Sequence, residues 1–331
     1  MGKKALISEM EKFHFGNTIF CTNGQDGTLT QVLFDAVSRR LTHLAIRQGR
    51  FFGKTRYVPF SAVTRANGEG VWLNITLEQL SDQPDSAGPG VELNARTAVR
   101  GGSASGTLQL VAVQPESGEL ASIVARNVPA GRDTLLREQY IGELTSDQVA
   151  ITADEKVLNV LPPYRSDREL QKEVDDIVFD LNFLHIDLKG MRLRVLDSVL
   201  YMEGNVSSAL RGELARDQVA GVTGLLEIKN DLIGDDTLAA DIARALGQDE
   251  RTRDLPIGVY PQLGVVRLGG SVRTAQQKEA AIAITRSFEG VRGVINELVV
   301  DPSADMLYVM SAPEGGEARD LTPGKFIRHT K

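Results

Sequence analysis

Two internal duplications laid end to end constrain this 331-residue chain more than any motif in it. Gly27-Thr28-Leu29 returns as Gly106-Thr107-Leu108, and Leu41-Thr42-His43-Leu44 as Leu120-Ala121-Ser122-Ile123, both 79 residues later. One residue is then lost, and Val63, Val71 and Leu73 meet Ile141, Val149 and Ile151 at a spacing of 78. A register held this long means that both copies follow one structural plan.

Each copy reads as short strands. Residues 28–34 are β-branched and apolar behind the turn Asn23-Gly24-Gln25-Asp26-Gly27, and residues 41–47 form a second strand. Residues 57–60 are a third, with Pro59 where an edge tolerates it, and residues 71–75 alternate as a fourth. Short strands at close spacing predict a small barrel or sandwich. The run Cys21-Thr22-Asn23-Gly24-Gln25-Asp26-Gly27, then Phe34-Asp35, Leu41-Thr42-His43-Leu44-Ala45-Ile46 and Val58-Pro59-Phe60-Ser61-Ala62-Val63, resembles the PRC-barrel family. The second copy departs from it, with Arg137-Glu138-Gln139 for Pro59-Phe60-Ser61 and Val113-Gln114 for Phe34-Asp35. The resemblance implies a small β-barrel used for binding, as in the cytoplasmic part of a photosynthetic reaction-centre subunit and in a ribosome maturation factor. It implies interaction, not catalysis.

Pro162-Pro163 closes this region. Ser166-Asp167-Arg168-Glu169 then forms a capping box, and Leu170, Val174, Ile177 or Val178, and Leu181 keep helical spacing. Met191, Leu193 and Val195 alternate as a strand, Asp197-Ser198 turns the chain, and Leu200, Met202, Gly204 and Val206 share one strand face. A helix over about 208–219, with Gly221 as its left-handed stop, and a strand over 225–233 complete the unit. The plan then recurs. Asp236 caps a helix carrying Leu238, Ile242 and Leu246, and Val266, Leu268, Gly270 and Val272 stand 66 residues after their counterparts. Thr274-Ala275-Gln276-Gln277 is another capping box, Gln277, Ala281, Ile284 and Phe288 share a face, Gly290 aligns with Gly221, and residues 294–300 form the last strand. Each unit is αββαβ, a small sheet covered on one face by two helices.

Val265-Val266-Arg267-Leu268-Gly269-Gly270-Ser271-Val272 and Gly290-Val291-Arg292-Gly293-Val294-Ile295-Asn296-Glu297-Leu298 resemble the BON domain family. The first copy carries less of the pattern, since Gly221-Val222-Thr223-Gly224-Leu225 lacks the Val-x-Asn-x-Leu continuation. The resemblance implies a non-catalytic module that binds phospholipid or protein. The expected fold class is therefore α+β multidomain: N-terminal all-β small barrels, PRC-barrel-like, followed by two αββαβ BON-like two-layer domains. The expected boundaries are an arm over 1–15, units over 16–81 and 93–161 joined by a linker over 82–92, a linker over 162–166, units over 167–233 and 235–301, and a tail over 302–331.

Composition narrows function mainly by exclusion. Only 5% of residues are aromatic, too few for a base-stacking surface or a large aromatic-lined pocket. No window reaches the length of a membrane span, and no apolar core follows the basic start, so a cytoplasmic location is expected. Cys21 is the single cysteine, which fits a reducing compartment. Residues 167–301 hold 16 Lys+Arg against 23 Asp+Glu, whereas the segments on either side are balanced, so the second half repels nucleic acid. The four histidines, at 14, 43, 185 and 329, have no zinc spacing, and no nucleophile motif or phosphate loop occurs. No catalytic residue, metal or cofactor is expected.

One stretch stands out. Between Asp35 and Glu69 there is no acid, while Arg39, Arg40, Arg47, Arg50, Lys54, Arg56 and Arg65 occur with Phe51, Phe52 and Tyr57 among them. One reading is a sheet edge defended by charge. The other makes Arg39, Arg40, Arg47, Arg50, Phe51, Phe52, Lys54 and Arg56 a docking patch for an acidic partner: anionic lipid, nucleic acid, or the acidic second half. Gly204, Gly221, Gly270 and Gly290 are expected as structural glycines. In the tail, residues 306–310 read as an added strand and residues 325–328 as a short docking motif, with a disordered end as the alternative.

The functional expectation is a non-enzymatic cytoplasmic adaptor or scaffold that binds protein partners multivalently and self-associates. The first alternative is a peripheral protein at the inner face of the membrane that binds anionic phospholipid. The second is a ribosome- or RNA-associated factor, which the charge works against.

Overall fold

The structure is a computed structural model that describes residues 5–49 and 53–304. It is mixed α+β and mostly β. The chain divides into two compact units. The first holds the described residues up to Lys172 with Val195–Leu200 and Val222–Glu227; the second holds the rest.

Among the described residues, the first duplication supplies fourteen strands and two short α-helices. The first copy runs β1 (Glu11–His14), β2 (Thr18–Cys21), β3 (Gly24–Phe34), β4 (Leu41–Arg47), β5 (Thr55–Pro59), β6 (Val63–Asn67), β7 (Gly70–Leu73) and α1 (Leu77–Ser81). The second runs β8 (Val91–Asn94), β9 (Ala98–Gly101), β10 (Ala104–Val113), β11 (Leu120–Arg126), β12 (Thr134–Arg137), β13 (Ile141–Leu144), β14 (Gln148–Ile151) and α2 (Glu155–Val160). The sheet orders correspond strand for strand: β5-β4-β3-β2-β7-β6 and β12-β11-β10-β9-β14-β13. In each, one pairing within the path is parallel, β2 with β7 and β9 with β14.

The leading strands are exchanged. Residues 11–14, assigned from sequence to an arm, form β1, which pairs not with its own copy but with β10, Glu11 opposite Val113 and His14 opposite Leu110. Residues 91–94, whose first two the sequence assigns to a linker, form β8, which pairs with β3, Val91 opposite Phe34 and Asn94 opposite Gln31. The exchange is possible because β3 and β10 are long. One edge of β3 holds β2 along its first half and β8 along its second. The equivalent apolar residues Phe13 and Leu93 are fully buried, and a single core holds residues of both copies, among them Ile19 and Leu44 of the first and Ile123 and Leu136 of the second. Leu41 N–H donates to the Gly118 carbonyl at 2.8 Å, and Leu120 N–H donates to that of Arg39 at 3.1 Å.

The second duplication begins with α3 (Asp167–Asp180), whose start carries the expected capping box: Ser166 Oγ accepts from Glu169 N–H at 3.3 Å, and the Glu169 carboxylate accepts from Ser166 N–H at 3.1 Å. It continues through β15 (Met191–Leu196), β16 (Val199–Val206), α4 (Ala209–Val219) and β17 (Glu227–Gly234), with sheet order β15-β16-β17. The next elements are α5 (Asp235–Gln248), β18 (Ile257–Gln262), β19 (Val265–Val272), α6 (Ala275–Arg286), β20 (Gly293–Asn296) and β21 (Val299–Val300). Here the order is β18-β19-β20, with β21 also on β19. Leu238, Ile242 and Leu246 of α5 and Ala281 and Ile282 of α6 pack with Val266, Leu268 and Val272 of β19.

Both hairpins in this region turn on two residues with left-handed backbone, Asp197-Ser198 (φ +51° and +63°) and Leu263-Gly264 (φ +48° and +79°). Such turns fit the twist of the strands but cost non-glycine residues steric strain. A carboxylate on the first helical residue holds each turn. Asp167 accepts from the N–H groups of Asp197 and Ser198 at 2.7 and 2.9 Å, and Asp235 from those of Leu263 and Gly264 at 2.6 and 3.0 Å.

Two expectations are corrected. Asp236 is not the cap of α5, because the helix follows β17 without a break and Gly234 takes that place; the Asp236 carboxylate accepts from Ala209 N–H at 2.9 Å. Gly221 is not in a left-handed conformation; Gly224, three residues on, is (φ +102°). The other three glycines are required. Gly204 (φ +104°) and Gly270 (φ +107°) lie where a Cβ would sit 2.2 Å from the Gly190 carbonyl oxygen and 1.9 Å from that of Pro256. At Gly290 (φ +86°) a Cβ would meet the Ile233 side chain at 2.7 Å.

Candidate interaction surfaces

Among the described residues, the basic side chains do not converge on one patch. Arg39 and Arg40 precede β4, while Arg47 ends it, so a strand of about 20 Å separates them. The Arg39 guanidinium is committed to the fold, donating to the carbonyls of Ile141 at 3.1 Å and Gly142 at 2.7 Å. Arg40 forms an exposed ion pair with Glu119 at 2.7 Å. Arg56 donates to the Gln83 carbonyl at 2.9 Å. Arg47, opposite Thr55, and Lys54 flank the tip of the β4–β5 hairpin, where Gln48 N–H donates to the Lys54 carbonyl at 3.0 Å. Arg50, Phe51 and Phe52 lie outside the described residues, as do residues 306–310 and 325–328.

A different surface emerges in the second unit. Phe179, at the end of α3, is 67% exposed, and Ile186, in the connection to β15, is 65% exposed. Phe183 is 38% exposed, and on α4 Leu210 and Leu214 are 67% and 40% exposed. Polar bonds brace these segments. Arg211 donates to the Phe183 carbonyl at 2.8 Å and to the buried Asp187 carboxylate at 2.9 Å, and His185 Nε2 donates to the Phe179 carbonyl at 3.0 Å. On α4 the buried face is Gly212, Ala215 and Val219, so Leu210 and Leu214, one turn apart, point the other way.

The duplication serves as an internal control. In the second copy Gln276 replaces Leu210 and Ala280 replaces Leu214, and the stretch Asp249-Glu250-Arg251-Thr252-Arg253-Asp254 stands where the first copy has Asn182-Phe183-Leu184-His185-Ile186. One plan thus carries an apolar surface in one copy and a charged one in the other. Sequence reading missed this surface because Leu210 and Leu214 were absorbed into a generic helix. Reading the helices against each other at the spacing of 66 displays it. Residues 167–233, which carry this surface, hold 13 acidic against 8 basic residues.

The first unit holds a buried polar cluster. The Asp197 carboxylate accepts from His14 Nε2 at 2.6 Å and from Gly68 N–H at 2.9 Å, with the Lys12 ammonium 4.0 Å away. Burial alone would raise its pKa, but the His14 hydrogen bond and the nearby positive charge leave it below the usual carboxylate value. Burial pushes the neighbouring Glu11 carboxyl up, although it accepts a hydrogen bond from Ala66 N–H, and pushes the Lys12 ammonium down. Beside this cluster lies a cavity of about 460 Å³. No group of His, Cys, Asp and Glu able to hold a metal occurs among the described residues, and no described helix is long and apolar enough to cross a membrane.

No curated protein matches the chain. Among solved structures it is similar in part to CdsD, a structural protein of the type III secretion system of Chlamydia trachomatis, with 13% identity and a TM-score of 0.33 over 40% of this chain and 61% of that one. The C-terminal domain of CdsD gives the same identity and TM-score over 41% of this chain and 66% of that one. The likeness thus spans less than two thirds of either solved chain. Residues 234–302, from the end of β17 through β21, match the BON domain.

Proposed function

We propose that this protein is a non-enzymatic scaffold or adaptor of the cytoplasm that docks protein partners, including further copies of itself, through the apolar surface of its first αβ unit. In this reading residues 167–233 form a second BON-like unit, and the duplicated β region is a pair of PRC-barrel-like units that carries it. The observation that supports it is the set Phe179, Phe183, Ile186, Leu210 and Leu214, exposed in one copy of the plan and replaced by polar or small residues in the other. Contiguous exposed apolar surface costs solubility and marks an interaction site when it is kept. The net acidic charge of residues 167–233 disfavours an anionic membrane as the partner of this surface.

Light scattering on the full chain across a range of concentrations tests the proposal, with Leu210→Glu/Leu214→Glu as the comparison. A mass that rises with concentration and falls to the monomer in the double variant supports it. A monomer at all concentrations that pellets with anionic vesicles, in low salt only, replaces it with the membrane reading through Arg47 and Lys54.

A further inference from the structure

The strand exchange builds a second site in the first unit, independent of the docking surface. Residues that follow the leading strands of both copies, Phe15 and Gly16 after β1 and Ala95 and Arg96 after β8, line one cavity with residues 28–31 of β3. Its volume of about 560 Å³ falls within the roughly 300–1,000 Å³ of small-molecule sites. Arg47 of β4 and Thr55 of β5 also line it. Arg47 lies opposite Thr28 on one side and Thr55 on the other. Directly opposite residues share a face of the sheet, so one guanidinium and two hydroxyls form a row across it.

The wall holds two cations, Arg47 and Arg96, and no acid. Both arginines are exposed, and neither guanidinium has an ion pair or a hydrogen bond among the described residues. The acids next along the two strands, Asp26 on β3 and Glu92 on β8, stay outside the wall, and the Asp26 carboxylate accepts from the Gln48 amide at 3.4 Å. A concave surface lined by one sign of charge concentrates the opposite charge. The two copies differ here again. The second keeps Thr107 and Arg126 for Thr28 and Arg47, but it has Asp133 for Thr55 and Gly16 for Arg96. Where the first copy has a hydroxyl and a second guanidinium, the other has a carboxylate and a glycine.

We infer that this cavity binds a phosphate monoester, its dianion held by Arg47 and Arg96 with the Thr28 and Thr55 hydroxyls as further donors. The planar guanidinium fork matches phosphate oxygens two at a time, and bonds between ionised partners are the strong ones. Two fixed positive charges suit a dianion. The cavity has room beyond a phosphate group, so the ligand carries an organic body. A soluble phosphorylated metabolite and a phosphatidic acid headgroup share this chemistry.

The test is a calorimetric titration of the full chain with glycerol 3-phosphate at fixed ionic strength. Saturable binding at one site per chain is expected, and none with glycerol. Arg96→Gln and Thr55→Asp change positions that are not buried, so the melting temperature should stay near that of the parent. Each should weaken binding about tenfold or more. Arg126→Gln, at the matching arginine of the second copy, and Leu210→Glu/Leu214→Glu should leave it unchanged. Co-sedimentation with phosphatidylcholine vesicles, with and without phosphatidic acid, separates the two sources. Pelleting that needs phosphatidic acid and is competed by glycerol 3-phosphate identifies a lipid headgroup; titration without pelleting identifies a soluble phosphate. Absence of saturable glycerol 3-phosphate binding, undiminished binding by Arg96→Gln or Thr55→Asp, or an equal loss in Arg126→Gln overturns the inference.

Discussion

Arg39 and Gly118 hold the same place in the two copies of the first duplication, and both have left-handed backbone, with φ +53° and +67°. Each offers its carbonyl to the other copy, and in the first copy the guanidinium adds two further bonds. A residue that seemed a candidate for an external partner is therefore a fastener. Arg39→Ala keeps the backbone strain and loses both side-chain bonds, so stability should fall by about 1–3 kcal/mol in urea unfolding. Association with polyanions or vesicles should not change.

The shared core predicts that the two copies unfold together. Trp72 is the single tryptophan and lies in the first copy. Leu136, fully buried, lies in the second. Leu136→Ala should lower the stability reported by Trp72 fluorescence by about 2–5 kcal/mol. A Trp72 transition that stays in place would mean independent barrels.

The glycines divide by backbone conformation. Gly270→Ala sets a Cβ against the Pro256 carbonyl at a positive φ, and it should cost about 3 kcal/mol or more through strain and overlap. Gly221→Ala meets open space at an ordinary φ and should be neutral or stabilising by up to about 1 kcal/mol. Thermal melts of the two variants side by side check the contrast.

Asp197 sets an acid limb. Its folded pKa lies below the ordinary carboxyl value of 3.8, so its contribution is fully present above that value and is lost as pH falls through the folded pKa. Glu11 acts in the opposite sense, because a raised folded pKa makes its charged form a cost that is relieved as pH falls. Asp197→Asn should flatten the loss of stability below about pH 5, and Glu11→Gln should steepen it, both read from urea midpoints against pH.

The sequence by itself determined the local elements. Duplication offsets, capping boxes and alternating strands are local patterns, and the capping box at Ser166 stands where residue spacing put it, whereas the left-handed backbone of Gly204 and Gly270 shows only in the structure. Only the tertiary structure decided how the copies are joined. Nothing local in residues 11–14 or 91–94 says which long strand they pair with, because backbone hydrogen bonding is the same for either partner and the choice rests on burying Phe13 and Leu93 in one core. The same holds for the sites. A run of arginines in sequence is parted by the length of β4. Leu210 and Leu214 gain meaning only once packing shows which face of α4 is spent, and Lys12 is unremarkable until its strand crosses to the other copy and the fold brings its ammonium to the buried Asp197 carboxylate.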